Sequence, residues 1–212
     1  MTTTGEGSLT ERDLDVASYT NHESFSFPNN DITVIELAQE VDLTTYTPAC
    51  LAKTSDTTAF DGKTALVYGE IILHSGTYYS VSCLRKTLAE RAVAGWGALA
   101  YGTGDFPDAL MEVEVAVVSK ETCSATMGPV ISDGMICAGG VEGEDSCQGD
   151  SGGPLTYKSG DQHVLIGDVS FGNQCALAGN YGVYGRISYY RSWIESKMNS
   201  PKYCGDSPDA DV

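Results

Sequence analysis

One stretch of ten residues, from Asp145 to Pro154, constrains this chain more than any other. It combines two serines, two acids, a cysteine and three glycines. Gly149, Gly152 and Gly153 allow tight turns and leave backbone N–H groups uncovered, which a site that holds a developing negative charge requires. The stretch alone is compatible with a plain Gly-rich turn or with a loop that presents Ser151 as a nucleophile. The neighbouring motifs favour the second interpretation.

Two further motifs lie in series with this loop. Gly-Met-Ile-Cys-Ala-Gly-Gly occupies 134–140, and Val-Ser-Phe-Gly occupies 169–172. With these motifs in place, the chain resembles the chymotrypsin-like serine proteases over residues 18–200, with 68–93 left out. The resemblance implies an all-β fold of two β-barrels with a C-terminal helix. It also implies a first barrel that is truncated and a second that is complete.

The resemblance assigns catalytic roles to individual residues. Ser151 matches the nucleophile, and the backbone N–H groups of Gly149 and Ser151 match the oxyanion hole. Asp31, in Asn-Asn-Asp-Ile-Thr-Val, matches the aspartate of the catalytic triad. Ser170 matches the serine that donates a hydrogen bond to that aspartate.

Specificity and activation residues follow from the same resemblance. Asp145 matches the acid at the floor of the specificity pocket, and Gly172 and Gly182 match its two walls, which implies cleavage after Lys or Arg. Asp150 matches the acid that binds the new N-terminal ammonium group after zymogen cleavage. The expected partners are protein or peptide substrates with Lys or Arg, together with protein protease inhibitors. No cofactor is expected.

The sequence departs from the family pattern at the histidine that acts as the general base. The family's catalytic histidine lies in an Ala-Ala-His-Cys motif far upstream of the triad aspartate, but only residues 1–30 precede Asp31 here. The three histidines of the chain, His22, His74 and His163, lie outside any such motif and are predicted to be solvent-exposed. We therefore expect a truncated and inactive trypsin-like endopeptidase. The alternative is a non-catalytic homologue that acts as a binding protein.

The segment 68–93 has no counterpart in the family. Removing it would bring 63–67 next to 94–97 at close to the family spacing and would leave six of the seven cysteines. It is interpreted either as untranslated sequence that has been read through or as a genuine surface loop, since a longer loop costs little entropy. The predicted organisation is a first-barrel remnant with linker (1–67), the insertion (68–93), the second barrel with its helix (94–200) and an acidic tail (201–212).

The cysteine pattern resembles that of the family at four positions. The resemblance implies bridges between Cys123 and Cys137 and between Cys147 and Cys175. Cys50 either pairs with Cys204 or has its family partner further upstream, and the pairing of Cys83 is open. This cysteine usage favours a secreted, oxidised protein, although residues 1–17 are too polar and acidic for a signal peptide.

The formal net charge of −17 and the sequence pI near 4.3 disfavour binding to nucleic acids or anionic membranes, which need a basic surface. This acidity could concentrate cationic substrates or could only keep the protein soluble. Glu11 matches the last ligand of the family's calcium loop, but its fellow ligands would fall at or before residue 1. We therefore expect no metal site.

Hydrophobic periodicity places the regular elements. Alternating or apolar runs predict strands at 14–20, 32–37, 109–118 and 164–169. The stretch 188–198 has helical spacing, and Ser188 is predicted to cap it.

Overall fold

The computed structural model describes residues 2–3, 14–42, 46–52, 58–67, 71–73, 77–79, 83–85, 95–108, 110–160 and 162–198. The described residues form mostly strands, and the predicted all-β class with a C-terminal helix is confirmed. The elements in chain order are β1 (Thr2–Thr3), β2 (Val16–Asn21), β3 (Thr33–Leu37), β4 (Tyr46–Pro48), β5 (Cys50–Leu51), β6 (Thr64–Val67), β7 (Ile71–Leu73), β8 (Thr77–Tyr79), β9 (Cys83–Arg85), β10 (Met111–Val118), α1 (Lys120–Met127), β11 (Met135–Gly139), β12 (Pro154–Ser159), β13 (Gln162–Gly172), β14 (Tyr181–Arg186) and α2 (Ile187–Lys197).

Five strands of the second half and β6, from the first half, pair in a ring. The antiparallel neighbours follow the order β10, β11, β14, β13, β12 and β6, and β6 pairs with β10 as well. The pairings therefore return to the strand from which they began, as they do in a β-barrel. In β10 the buried residues are Val113, Val115 and Val117, and the residues between them are exposed. That period of two places one face of the strand in the interior.

The interior of this ring is the main hydrophobic core. Leu155, Ile166 and Tyr184 are almost completely buried there, together with the three valines of β10. β5 adds to the outside of the ring by pairing in parallel with β13. The core fixes β13 and β14 in place, and these two strands carry much of the candidate site.

The first half contributes a hairpin made of β2 and β3. Ile32, immediately before β3, is buried against three residues of the C-terminal helix: Ile187, Tyr190 and Ile194. The helix α2 therefore holds the hairpin against the ring of strands. No helix among the described residues is both long enough and apolar enough to cross a bilayer.

The helix boundaries differ in two ways from the sequence predictions. α2 begins at Ile187, and its N-cap is Arg186, which makes no side-chain capping bond. Ser188 lies in the first turn, so the prediction that it caps the helix is wrong. A second helix, α1, was not predicted; its N-cap Ser119 accepts a hydrogen bond from the Thr122 backbone N–H.

The predicted bridges Cys123–Cys137 and Cys147–Cys175 both form. Cys50 is also disulfide-bonded, but its predicted alternative Cys204 lies outside the described residues. Within the predicted insertion, the backbone of β7 pairs with β8, and β9 pairs with β4. Whether 68–93 is read-through sequence or a natural loop stays a prediction.

Candidate active site

Glycine backbone conformations and a backbone hydrogen bond to β13 fix the loop that carries Ser151. Gly149 and Gly152 have φ values of 98° and 78°, which L-residues rarely adopt. The Gly152 N–H donates to the Val169 carbonyl at 2.8 Å, which ties the loop to β13. Ser151 itself is exposed, so its hydroxyl faces solvent from a fixed position.

Asp150 turns away from Ser151 into the interior. Its Oδ1 accepts from the Gly97 N–H at 2.9 Å, and its Oδ2 accepts from the Cys147 N–H at 2.8 Å. A Cβ at position 97 would overlap this carboxylate, so a glycine is required there. Burial raises the pKa of Asp150, and the two backbone donors oppose that rise.

Asp145 is 2% exposed. Its Oδ1 accepts from the Ser146 N–H at 2.9 Å, and its Oδ2 accepts from the Ala176 N–H at 3.0 Å. Burial raises its pKa to about 6, although both donors act in the opposite direction. Asp145 therefore remains mostly ionised at neutral pH.

Gly172 on β13 and Gly182 on β14 are cross-strand partners beside this acid. A Cβ at Gly182 would lie 3.0 Å from Asp145 Oδ1, whereas a Cβ at Gly172 would make only ordinary contacts. The bridge between Cys147 and Cys175 joins the two loops that supply the donors to Asp145. The Asp145 carboxylate therefore lies next to Gly182, on a strand pair that carries no side chain at position 172 or 182.

Asp31 precedes β3 and meets β13 across the two halves of the chain. The Ser170 hydroxyl donates to Asp31 Oδ2 at 2.6 Å. This is the contact that the resemblance predicted, and it joins residues 139 positions apart in sequence.

An open cavity of about 520 Å³ brings Asp31, Ser170 and Ser151 onto one surface. Most of its wall is apolar and comes from β3, β13 and α2. Its lining residues are Asp31, Ile32, Thr33, Val34, Ile35, Leu37, Ala49, Leu51, Ser151, Gly152, Leu165, Asp168, Val169, Ser170, Ile187, Ile194 and Met198.

The two described histidines are half-buried, so the prediction that they are solvent-exposed is wrong. The His22 ring packs against Trp193 with ring centroids 4.9 Å apart, and its Nδ1 accepts from the Ser24 N–H. His163 Nδ1 lies 3.5 Å from Thr156 Oγ1. His74 lies outside the described residues. The His22 ring therefore packs against the aromatic side chains of helix α2.

Sequence reasoning missed three residues that shape the site. Gly97 makes room for Asp150, and the exposed Phe106 has a ring carbon 3.1 Å from where a Gly149 Cβ would lie. Asp168, on β13, lies in the same cavity wall as Asp31. The available signal for Asp168 was an acid within an otherwise apolar strand.

Comparison with known proteins places this geometry in a family. The profile of the Trypsin family matches residues 73–194. Transmembrane protease serine 11B of Homo sapiens is 34% identical over 183 residues, covering 83% of this chain and 37% of that protein. Coagulation factor IX of Oryctolagus cuniculus is 34% identical over 167 residues, covering 78% of this chain and 51% of that protein.

Trypsin Blo t 3 of Blomia tropicalis is 46% identical over 101 residues, covering 45% of this chain and 36% of that protein. The chain thus spans about a third to a half of the length of these three relatives. The family profile covers more than half of the chain. The chain therefore belongs to the trypsin family of serine proteases.

Proposed function

We propose that this chain carries the substrate pocket and nucleophile of an endopeptidase that cuts after Lys or Arg. The observation that carries the proposal is the buried Asp145 carboxylate beside Gly182. The proposed slot for the substrate side chain runs between Gly172 and Gly182, which pair across the sheet. A desolvated carboxylate in a narrow slot favours a long side chain that ends in a cation. Protein protease inhibitors with such a side chain would fit the same slot.

The proposed chemistry is acyl transfer through Ser151. The Ser151 hydroxyl attacks the scissile carbonyl, and the Gly149 and Ser151 N–H groups stabilise the oxyanion that forms. Asp31, held by Ser170, would orient a histidine base and stabilise its protonated form. Each assignment rests on family membership together with the positions described above.

We further propose that the 212-residue chain by itself has little peptidase activity. The His22 ring packs against Trp193, His163 Nδ1 lies 3.5 Å from Thr156 Oγ1, and neither residue lines the cavity that contains Ser151. Without a base the hydroxyl stays protonated, and loss of the histidine in a comparable protease lowers turnover by about 10⁶. The same observation supports the second candidate function, a homologue that binds peptides without cutting them.

Pocket specificity can be tested without turnover, using benzamidine as an aromatic amidinium probe. Isothermal titration should show binding at neutral pH and weaker binding below about pH 6, because Asp145 becomes protonated there. Asp145→Asn should abolish binding, whereas Asp133→Asn, an exposed acid paired with Lys120, should leave it unchanged. Equal binding by the Asp145→Asn variant would show that the pocket is elsewhere.

Activity requires a separate experiment. The purified chain is incubated with a Lys or Arg chromogenic ester and with a serine-directed phosphonate label, with Ser151→Ala as the control. We expect no turnover and no labelling above that control. Turnover that disappears in Ser151→Ala would contradict the proposed inactivity, and benzamidine binding without turnover would agree with both candidate functions.

The disulfides support an extracellular location as part of the proposal. Two disulfide bonds are fully described, and Cys50 is bonded in a third. Disulfide bonds do not persist in a reducing cytosol. Non-reducing mass mapping of protein recovered from culture medium would test this. Recovery of the chain only from the cytosol, with free thiols, would contradict it.

A further inference from the structure

A second acid lies next to the Asp31 and Ser170 pair. Asp168 belongs to β13, two residues before Ser170, and pairs across the sheet with Gly185 on β14. Asp31, Ser151, Asp168 and Ser170 all line the same cavity. None of the roles assigned above uses this side chain.

One oxygen of Asp168 has no hydrogen-bond partner. Its Oδ1 is buried, and no donor within the described structure reaches it. Buried polar atoms in proteins are normally paired. A Cβ at position 185 would lie 2.5 Å from this oxygen, so the carboxyl group occupies space that exists because Gly185 has no side chain.

The surroundings of Asp168 contain no compensating positive charge among the described residues. The titratable groups that face it are Asp31, which precedes β3, and Tyr190 on α2. Burial and the negative charge of Asp31 raise the pKa of Asp168 well above its ordinary value. The charges of Asp168 and Asp31 in turn contribute to a raised pKa at Tyr190, although burial of the phenol is the larger cause.

The two hydroxyls described near these acids, those of Tyr190 and Ser170, already have acceptors, and the Tyr190 hydroxyl donates to Asn30 Oδ1 at 3.4 Å. The Ser170 hydroxyl donates to Asp31 Oδ2 at 2.6 Å. Two neighbouring carboxylates repel each other, so the one with the buried oxygen, Asp168, keeps a proton more readily. Asp168, whose Oδ1 has no donor among the described residues, gains most from being neutral, although its own backbone N–H lowers its pKa.

We propose that Asp168 is a positioning residue for Asp31: it keeps its proton in the folded chain, so that Ser170 donates to Asp31 alone. This inference rests on the proposed role of Asp31 as the acid that orients the base. When Asp168 ionises, a second charge appears beside Asp31 and competes for the Ser170 hydroxyl. The site should therefore lose its ordered arrangement as the pH rises.

The experiment is a carboxyl titration of the full chain labelled with ¹³C at aspartate side chains. Assignment of the Asp168 signal through its backbone makes the result independent of any variant at 168. We expect this signal to remain that of a protonated acid above about pH 4, where exposed aspartates ionise. Ionisation of Asp168 together with the exposed aspartates would overturn the proposal.

Two variants test whether Asp168 and Asp31 act on each other. Asp31→Asn removes the neighbouring charge and should lower the pH at which Asp168 titrates, whereas Asp133→Asn should not move it. An unchanged Asp168 midpoint in Asp31→Asn would overturn the proposal, because a purely structural Asp168 would not respond. Since no measurement here depends on turnover, failure of the proposed peptidase function would leave this result readable.

Asp168→Asn provides a second measurement. It keeps the shape of the side chain but cannot ionise, so its urea midpoint should rise relative to the natural chain as the pH increases from about 5 to about 9. Parallel pH profiles for the two proteins would contradict the proposal. If Asp168→Asn does not fold, the titration in the natural chain and in Asp31→Asn still decides the question.

Discussion

Two acidic clusters differ in how the oxygens of their carboxyl groups are hydrogen-bonded. In the pocket cluster, both oxygens of Asp145 and both oxygens of Asp150 accept backbone N–H groups. In the cavity cluster, Asp31 receives the Ser170 hydroxyl, but Asp168 Oδ1 receives nothing from the described residues. Burial raises the pKa of Asp145, Asp150 and Asp168 alike.

The difference follows from the secondary structure around each acid. Asp145 and Asp150 lie in loops, where backbone N–H groups are not used by a ladder and can turn towards a carboxylate. Asp168 lies within β13, whose N–H and C=O groups already pair with neighbouring strands. A strand can bury a carboxyl group but has few backbone donors left to bind it.

The largest expected effect comes from Asp150→Ala. This change leaves the buried N–H groups of Gly97 and Cys147 without an acceptor, which costs about 1–3 kcal/mol each. Because a buried charge is removed at the same time, we expect a net loss of about 2–4 kcal/mol in urea unfolding. Asp133→Ala, at an exposed ion pair, should cost less than about 1 kcal/mol. Equal losses of unfolding free energy in the two variants would show that the backbone hydrogen bonds to Asp150 add no stability.

Opening the pocket bridge should have the next largest effect. Replacing Cys147 and Cys175 together by Ala frees a loop with a sequence separation of 28, which costs about 3 kcal/mol if chain entropy dominates. The matched control replaces Cys123 and Cys137, whose separation is 14, and should cost slightly less. Only the first pair should also weaken benzamidine binding, because it holds the loop of Ala176 against Asp145. Equal weakening by both pairs would indicate a general loss of structure.

The pH dependence of stability tests the pocket cluster directly. The folded pKa of Asp145 is raised to about 6, so its contribution is fully present below the unfolded pKa and is lost as the pH rises through 6. Relative to Asp145→Asn, the natural chain should lose about 3 kcal/mol between about pH 4 and about pH 8. Urea unfolding at several pH values measures this difference. If the natural chain instead gained stability relative to Asp145→Asn as the pH rises, the folded pKa of Asp145 could not be raised.

The smallest expected effect belongs to Ser170→Ala. Loss of the hydroxyl bond to Asp31 should cost about 1 kcal/mol, because the cavity is open and water can replace the donor. Ser18→Ala provides the control, since the Ser18 hydroxyl donates to Glu36 on the exposed hairpin surface and should cost almost nothing. A loss for Ser170→Ala greater than that for Asp150→Ala would reverse the order of the two clusters.

Much of the fold could be predicted from the sequence because side-chain periodicity and motif spacing carry it. The alternation of Val113, Val115 and Val117 with exposed residues predicted β10, and the resemblance predicted both described bridges. The helix α1 could not be predicted in the same way. Cys123 is its single buried residue, so no apolar stripe marks it.

The site was predictable only where a motif names the residue. Ser151, Asp145 and Asp31 belong to motifs, whereas the signal for Asp168 is only that it is an acid within a mostly apolar strand. The importance of Asp168 depends on Asp31, more than a hundred positions away, and on the glycine across the sheet. Such a relation arises only from three-dimensional packing, and no local pattern reports it.

The contacts of α2 with the first hairpin have a consequence for the order of events during synthesis. Glu23 accepts from the Trp193 indole N–H at 2.7 Å and pairs with Lys197, and these partners are 170 and 174 positions apart. Domains fold as units while the chain emerges from the ribosome at about 5–20 residues per second. The hairpin that presents Asp31 is therefore synthesised on the order of ten seconds or more before helix α2. During that interval it lacks the contacts with Trp193 and Lys197.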